Sequence, residues 1–214
     1  MKLPETLPAR IYLLACDVER HRVRGQDIGL VVRGALLADL NMRGCLVEEN
    51  GSVRSASSRR TGDPVLDDEL RALGEHGPRS WRASLRGGKA TLAAVRDQLA
   101  AQQLISVERT RKLGIFPATR VRLTDPAQVA ALRESVRAAV FGTGPVSAVS
   151  TEDATLVALV AVGELGTVLS GKDRRTYQAR IEEFTERGGS AVPALRKVLR
   201  QIKSARTAAY ASGG

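Results

Sequence analysis

Aromatic residues make up only 3% of the 214-residue chain. Single-stranded nucleic acid is gripped by stacking bases on exposed rings, so so few rings argue against that mode of binding. Cysteine is as scarce, with Cys16 and Cys45 alone, both in apolar surroundings and without a CxxC pair. They read as reduced core residues rather than a disulfide or metal ligands. The two histidines, His21 and His76, have polar, loop-like neighbours, so a zinc site is not expected. Long hydrophobic runs are missing too. The N-terminal run is five or six residues and is followed by acids, unlike a signal peptide. The stretch Ala154–Leu169 is too short to span a bilayer and contains Glu164.

What the chain does have is positive charge. Lysine and arginine outnumber aspartate and glutamate for a formal net charge of +10. That excess calls for an anionic partner: nucleic acid, an acidic membrane face or a phosphorylated ligand. The hydrophobic fraction of 43% is that of a globular protein, and the length allows one large domain with a sizeable core.

The most organised stretch is 29–50, GLVVRGALLADLNMRGCLVEEN. Ile28, Val31, Val32, Ala35, Leu36 and Leu40 form one helical apolar stripe. Asp39 falls within it, and Arg43 follows four residues later in the favoured orientation for a helical ion pair. That pair reads as structural, fixing the helix end. Arg33 lies off the stripe and is the charge expected to face a ligand. Gly44 is placed as a helix-terminating glycine. A strand over 45–48 and the Asn50-Gly51 hairpin turn follow.

Further along, Asp63 caps a helix beginning at Pro64 and running to about Leu73, with Asp67, Asp68 and Glu69 suited to its positive end. That explains the acidic cluster more simply than a metal site. Residues 81–85 and 89–103 are expected to be helical. Residues 104–108 and 118–123 form a hairpin, with Val121 and Leu123 alternating with Arg120 and Arg122. Helices are predicted over 126–141, 154–169, 174–186 and 193–210, and one at 11–17 follows a lead-in segment over 1–10. Residues 211–214 form a frayed tail. The expected architecture is mainly α: a single-domain helical bundle over 1–214 with short β-hairpins, one of them protruding.

No catalytic constellation is visible. A serine or cysteine nucleophile would lack its base, and there is no GxGxxG, no GxxxxGK[ST] and no carboxylate–histidine cluster. The chain is therefore expected not to be an enzyme and to need no cofactor or metal. Two binding readings arise from the residues. The helix–helix–hairpin order over 89–123, with Arg109, Arg111 and Lys112 in the hairpin, has the look of a winged-helix DNA-binding module. No helix, however, presents an Asn, Gln and Arg cluster for base readout, which makes nucleic acid the lesser partner. Alternatively, the tip residues Leu113, Ile115 and Phe116 beside basic residues suit a lipid interface or a partner subunit. A ligand-free, oligomer-forming module is the third reading.

Three blocks, VVRGALLADLNMRGCL (31–46), TGDPVLDDEL (61–70) and KLGIFPATRVRL (112–123), resemble the Golgi phosphoprotein 3 family in its bacterial form, in the family's order and spacing. The resemblance implies a mainly helical domain with a protruding hairpin. It also implies a non-enzymatic peripheral membrane adaptor that binds phosphatidylinositol 4-phosphate in a basic pocket. Its hairpin would meet the membrane or another copy of the chain. Carried onto this sequence, Arg33 matches the family's helix arginine. The pocket tryptophan falls at Arg24, and the two arginines of the helix before the hairpin fall at Lys89 and Leu92. The implied headgroup set is Arg22, Arg24, Arg33 and Lys89. The implied setting is cytoplasmic, on the inner membrane face.

Overall fold

A computed structural model describes residues 3–56, 60–112 and 116–212. Helix α1 (Leu7–Ala15) leads into a two-residue strand β1 (Cys16–Asp17), which pairs with β2 (Arg22–Val23). Helix α2 (Ile28–Met42) follows, then the strands β3 (Leu46–Glu49) and β4 (Ser52–Ser55) around the Asn50-Gly51 turn. Next come α3 (Pro64–His76), β5 (Arg79–Ser80) beside β4, α4 (Trp81–Ser84) and α5 (Gly88–Ala101). The hairpin β6 (Ile105–Lys112) and β7 (Phe116–Leu123) precedes α6 (Pro126–Phe141), α7 (Thr151–Val162), α8 (Gly171–Thr176), α9 (Gln178–Arg187) and α10 (Ala191–Ser212). The molecule is mainly α, as the sequence indicates.

Helix α2 is the axis of the bundle. It packs against α1, α5, α7 and α10 and is buried on almost every side, not along the stripe alone. It ends where Gly44 adopts a positive φ of 68°, a conformation that costs glycine little. Near its other end Gly29 lies against Gly88 of α5. A Cβ on Gly88 would stand 2.6 Å from the Gly29 carbonyl carbon, so the two backbones touch.

Several boundaries move. The lead-in segment proves to be helical from Leu7, since Pro8 occupies the first turn, where its missing N–H is harmless. The Leu7 N–H donates to Asp39 Oδ2 at 2.7 Å, and Arg43 Nε donates to Asp39 Oδ1 at 2.5 Å. Asp39 is 2% exposed. The pair in the stripe is thus structural, and it ties α1 to α2 as well as closing the α2 end. At the other end of α1, the Leu14 carbonyl accepts from Thr167 Oγ1 at 2.7 Å and the Cys16 carbonyl from the Arg133 guanidinium. The expected helix 154–169 stops at Val162, and 174–186 divides into α8 and α9. A capping box at Ser170 and Asp173 starts α8. Asp63 caps α3 as expected, accepting from Val65 N–H and Leu66 N–H at 3.0 Å each.

The hairpin strands are eight residues each, longer than expected, and pair from Ile105↔Leu123 to Lys112↔Phe116. Ile105 and Val121 are buried at its root, whereas Glu108, Arg109, Thr119 and Arg120 are exposed. The hairpin therefore leaves the body beyond the Val107↔Val121 pair. No helix among the described residues is long and apolar enough to cross a membrane.

Both cysteines are buried and unpaired. Burial pushes the Cys16 thiol up to about 12. Only the thiolate attacks electrophiles, so in a Cys45→Ala variant Cys16 should stay unmodified by Ellman's reagent at neutral to mildly alkaline pH. It should react at once after denaturation. Rapid labelling of the native protein would contradict this packing.

Candidate functional site

Of the four cations expected to meet an anion, Arg33 has the least access. Its side chain is 14% exposed. Glu69 of α3 accepts from it bidentately, Nη1 to Oε2 at 2.5 Å and Nη2 to Oε1 at 2.6 Å. Nη1 also donates to Thr91 Oγ1 of α5 at 3.1 Å, and Nε to the Ser84 carbonyl of α4 at 2.8 Å. A guanidinium offers five N–H donors; four hydrogen bonds are already made to three other helices. The expectation that this charge faces outward from α2 is corrected here. Away from the stripe the Arg33 side chain meets α3, α4 and α5, so the arginine that leaves the stripe enters a second interior. Burial holds the Glu69 carboxyl above the ordinary carboxylate range, with the Arg33 charge pulling the other way.

Glu69 was legible as an acid near a helix start, and its true place shows in the same spacing. Leu66, Glu69, Leu70 and Leu73 follow i, i+3, i+4, i+7, so Glu69 lies in the buried face of α3. A charge within an apolar stripe needs a buried partner. Asp39 with Arg43 and Glu69 with Arg33 are two cases of that rule.

The remaining three cations are exposed and lie on two junctions. Arg22 and Arg24 belong to the loop after α1. The Arg24 N–H donates to the Ala15 carbonyl at 2.8 Å, and its guanidinium stands 3.7 Å from Asp17. The same loop is laid along the free edge of β7, because Val121 N–H donates to the His21 carbonyl at 2.8 Å. The loop thus continues the hairpin sheet, next to exposed Arg120 and Arg122, of which Arg122 stands 3.4 Å from Glu108. Lys89 lies elsewhere, at the start of α5 beside the Gly29–Gly88 contact. Leu92 is partly buried against the core and carries no charge to a ligand. Leu113 and Ile115 lie outside the described residues, and Phe116 is described only by its place in the strand.

A wider cleft of about 490 Å³ between α9 and α10 holds Arg174, Arg196, Arg200, Lys203 and Arg206. Its charges are largely answered from within. Arg206 pairs with Asp27 at 2.6 and 2.8 Å, Lys203 with Glu164 at 2.9 Å, and Arg196 with Glu182. These pairs latch α10 to the body. No group of three or more His, Cys, Asp or Glu among the described residues is arranged to hold a metal ion.

The sequence matches the Golgi phosphoprotein 3 (GPP34) family over residues 7–202, nearly the whole chain, from the start of α1 into α10. The chain belongs to the Golgi phosphoprotein 3 family. No curated protein matches it. Within this family member, the block 31–46 is the central helix α2 with its glycine stop. The block 61–70 is the capped start of α3 that carries Glu69. The block 112–123 includes the outgoing strand β7 of the hairpin. The first two blocks are therefore joined physically by the Arg33–Glu69 pair.

Proposed function

We propose that this chain is a non-enzymatic peripheral membrane adaptor of the inner membrane face, binding anionic, phosphoinositide-like headgroups through the basic surface at the hairpin root. The observation that carries the reading is the bond from Val121 N–H to the His21 carbonyl. It lays the loop that carries Arg22 and Arg24 along the strand that carries Arg120 and Arg122, and all four arginines are exposed. Arginine suits this role because its fork pairs bidentately with phosphate oxygens. Membership of the Golgi phosphoprotein 3 family supports the same reading. Arg33 enters it as the support that holds α2, α3, α4 and α5 together, not as a ligand contact.

Co-sedimentation with vesicles tests this. Binding is expected to vesicles containing anionic phospholipid and to fall away on neutral phosphatidylcholine. Each arginine near a charged bilayer contributes about 1 kcal/mol, so Arg22→Gln with Arg24→Gln should weaken partitioning by more than tenfold, and raised salt should act in the same direction. Equal binding to neutral and anionic vesicles would sink the proposal.

A further inference from the structure

A second recess lies between α4 and α10, away from the hairpin root. Its volume is about 290 Å³, and its lining includes Leu30, Arg82, Leu85, Arg86, Val198 and Ile202. Leu85 is 1% exposed, and Leu30, Val198 and Ile202 are half-buried, so the floor is aliphatic. Arg82 and Arg86 stand on the rim, four residues apart and exposed. Among the described residues neither guanidinium is engaged in a hydrogen bond or ion pair, and no carboxylate lines the groove. That separates it from the α9–α10 cleft, where Asp27 and Glu164 pair with Arg206 and Lys203, and from a recess of about 300 Å³ lined by Arg43, whose guanidinium is paired with Asp39.

An aliphatic floor under unanswered positive charge has a definite complement. A free inorganic anion would leave the floor wet, and a neutral hydrocarbon would leave both guanidiniums without a partner. We propose that this groove binds a monomeric anionic amphiphile of the alkyl phosphate monoester class. Arg82 and Arg86 grip the phosphate, and Leu30, Val198 and Ile202 cover the first methylenes of the chain. The inference does not depend on the hairpin-root reading, since it uses different elements and needs no bilayer.

The test is a calorimetric titration of the full chain with decyl phosphate below its micelle concentration. Inorganic phosphate and decyl maltoside serve as comparison ligands. Fluorescence of Trp81, the only tryptophan and the residue before Arg82, gives a second readout. Saturable binding of decyl phosphate is expected, at least tenfold tighter than either comparison ligand. Losing charge-assisted hydrogen bonds costs roughly tenfold or more in affinity, so Arg82→Gln with Arg86→Gln should weaken it by that factor. Both side chains are exposed, so the fold should survive, and a thermal melt checks it. Arg22→Gln with Arg24→Gln should leave the titration unchanged. The proposal is overturned if wild type shows no saturation, if inorganic phosphate or decyl maltoside binds as tightly, or if the Arg82/Arg86 variant binds undiminished. Vesicle binding that persists through such a failure leaves the hairpin-root reading standing. Groove binding without vesicle binding removes that reading alone.

Discussion

Replacing Arg33 by alanine is expected to lower folding stability by about 3–5 kcal/mol, the usual cost of removing one partner of a buried ion pair. The reason is what stays behind. Glu69 is 7% exposed, and its two oxygens take the two closest of the arginine's hydrogen bonds. Without the guanidinium, either an unpaired carboxylate remains in the interior or the group takes up a proton. The Ser84 carbonyl and Thr91 hydroxyl lose a donor at the same time. Urea unfolding followed by circular dichroism measures the loss, which corresponds to a fall in Tm of about 10 °C or more for a chain of this size. Arg33→Lys keeps the charge but not the fork, and should recover only part of the stability. Arg33→Met combined with Glu69→Leu should recover most of it, because no buried charge then lacks a partner. An Arg33→Ala protein with unaltered stability but lost vesicle binding would reverse the assignment and make Arg33 a ligand contact.

Gly88→Ala should be the next most damaging single change. The added Cβ would fall 2.6 Å from the Gly29 carbonyl carbon, 2.7 Å from its oxygen and 2.9 Å from Leu30 N. All three are backbone atoms of the central helix, so no rotamer change relieves the contact. Overpacking typically costs about 1–3 kcal/mol, and a clash between two backbones belongs at the upper end of that range. Gly74→Ala is the matched control. It lies within α3, and nothing stands within 4 Å of its added Cβ. There the better helix propensity of alanine should raise stability by about 0.5–1 kcal/mol. The two denaturation midpoints should therefore move in opposite directions. Similar midpoints would mean that α2 and α5 do not meet at Gly29 and Gly88.

The two charged pairs on α2 show how far sequence reasoning reaches. Asp39 sits inside the apolar stripe with Arg43 one turn on, so the pairing is local and its structural role can be read from spacing. Its second bond, from Leu7 N–H, crosses 32 positions of sequence. Arg33 presents the opposite case. Its distance from the stripe is correctly read, but a helical wheel knows only one helix, and α2 is covered on more than one side. The partner Glu69 lies 36 residues away, at a position that is apolar by period and charged by identity. Arg82 and Arg86 were invisible for a related reason. Two exposed arginines four apart look like any solvated turn until α10 closes a groove beside them.

Local chemistry by itself determined the mainly helical class, the Asp63 cap, the Asn50-Gly51 turn, the glycine end of α2, the hairpin and the excess positive charge. Each depends on residues within a few positions of one another, where propensity and hydrogen bonding are decided over one or two turns. Tertiary structure alone decided which charges are spent and which remain free. It buried Arg33 against three helices, answered three of the five cations of the α9–α10 cleft with Asp27, Glu164 and Glu182, and laid the Arg22–Arg24 loop along β7. Whether a charge can act depends on what desolvates it and what opposes it. In this chain those neighbours come from segments tens of residues away, or nearly two hundred for Arg206 and Asp27.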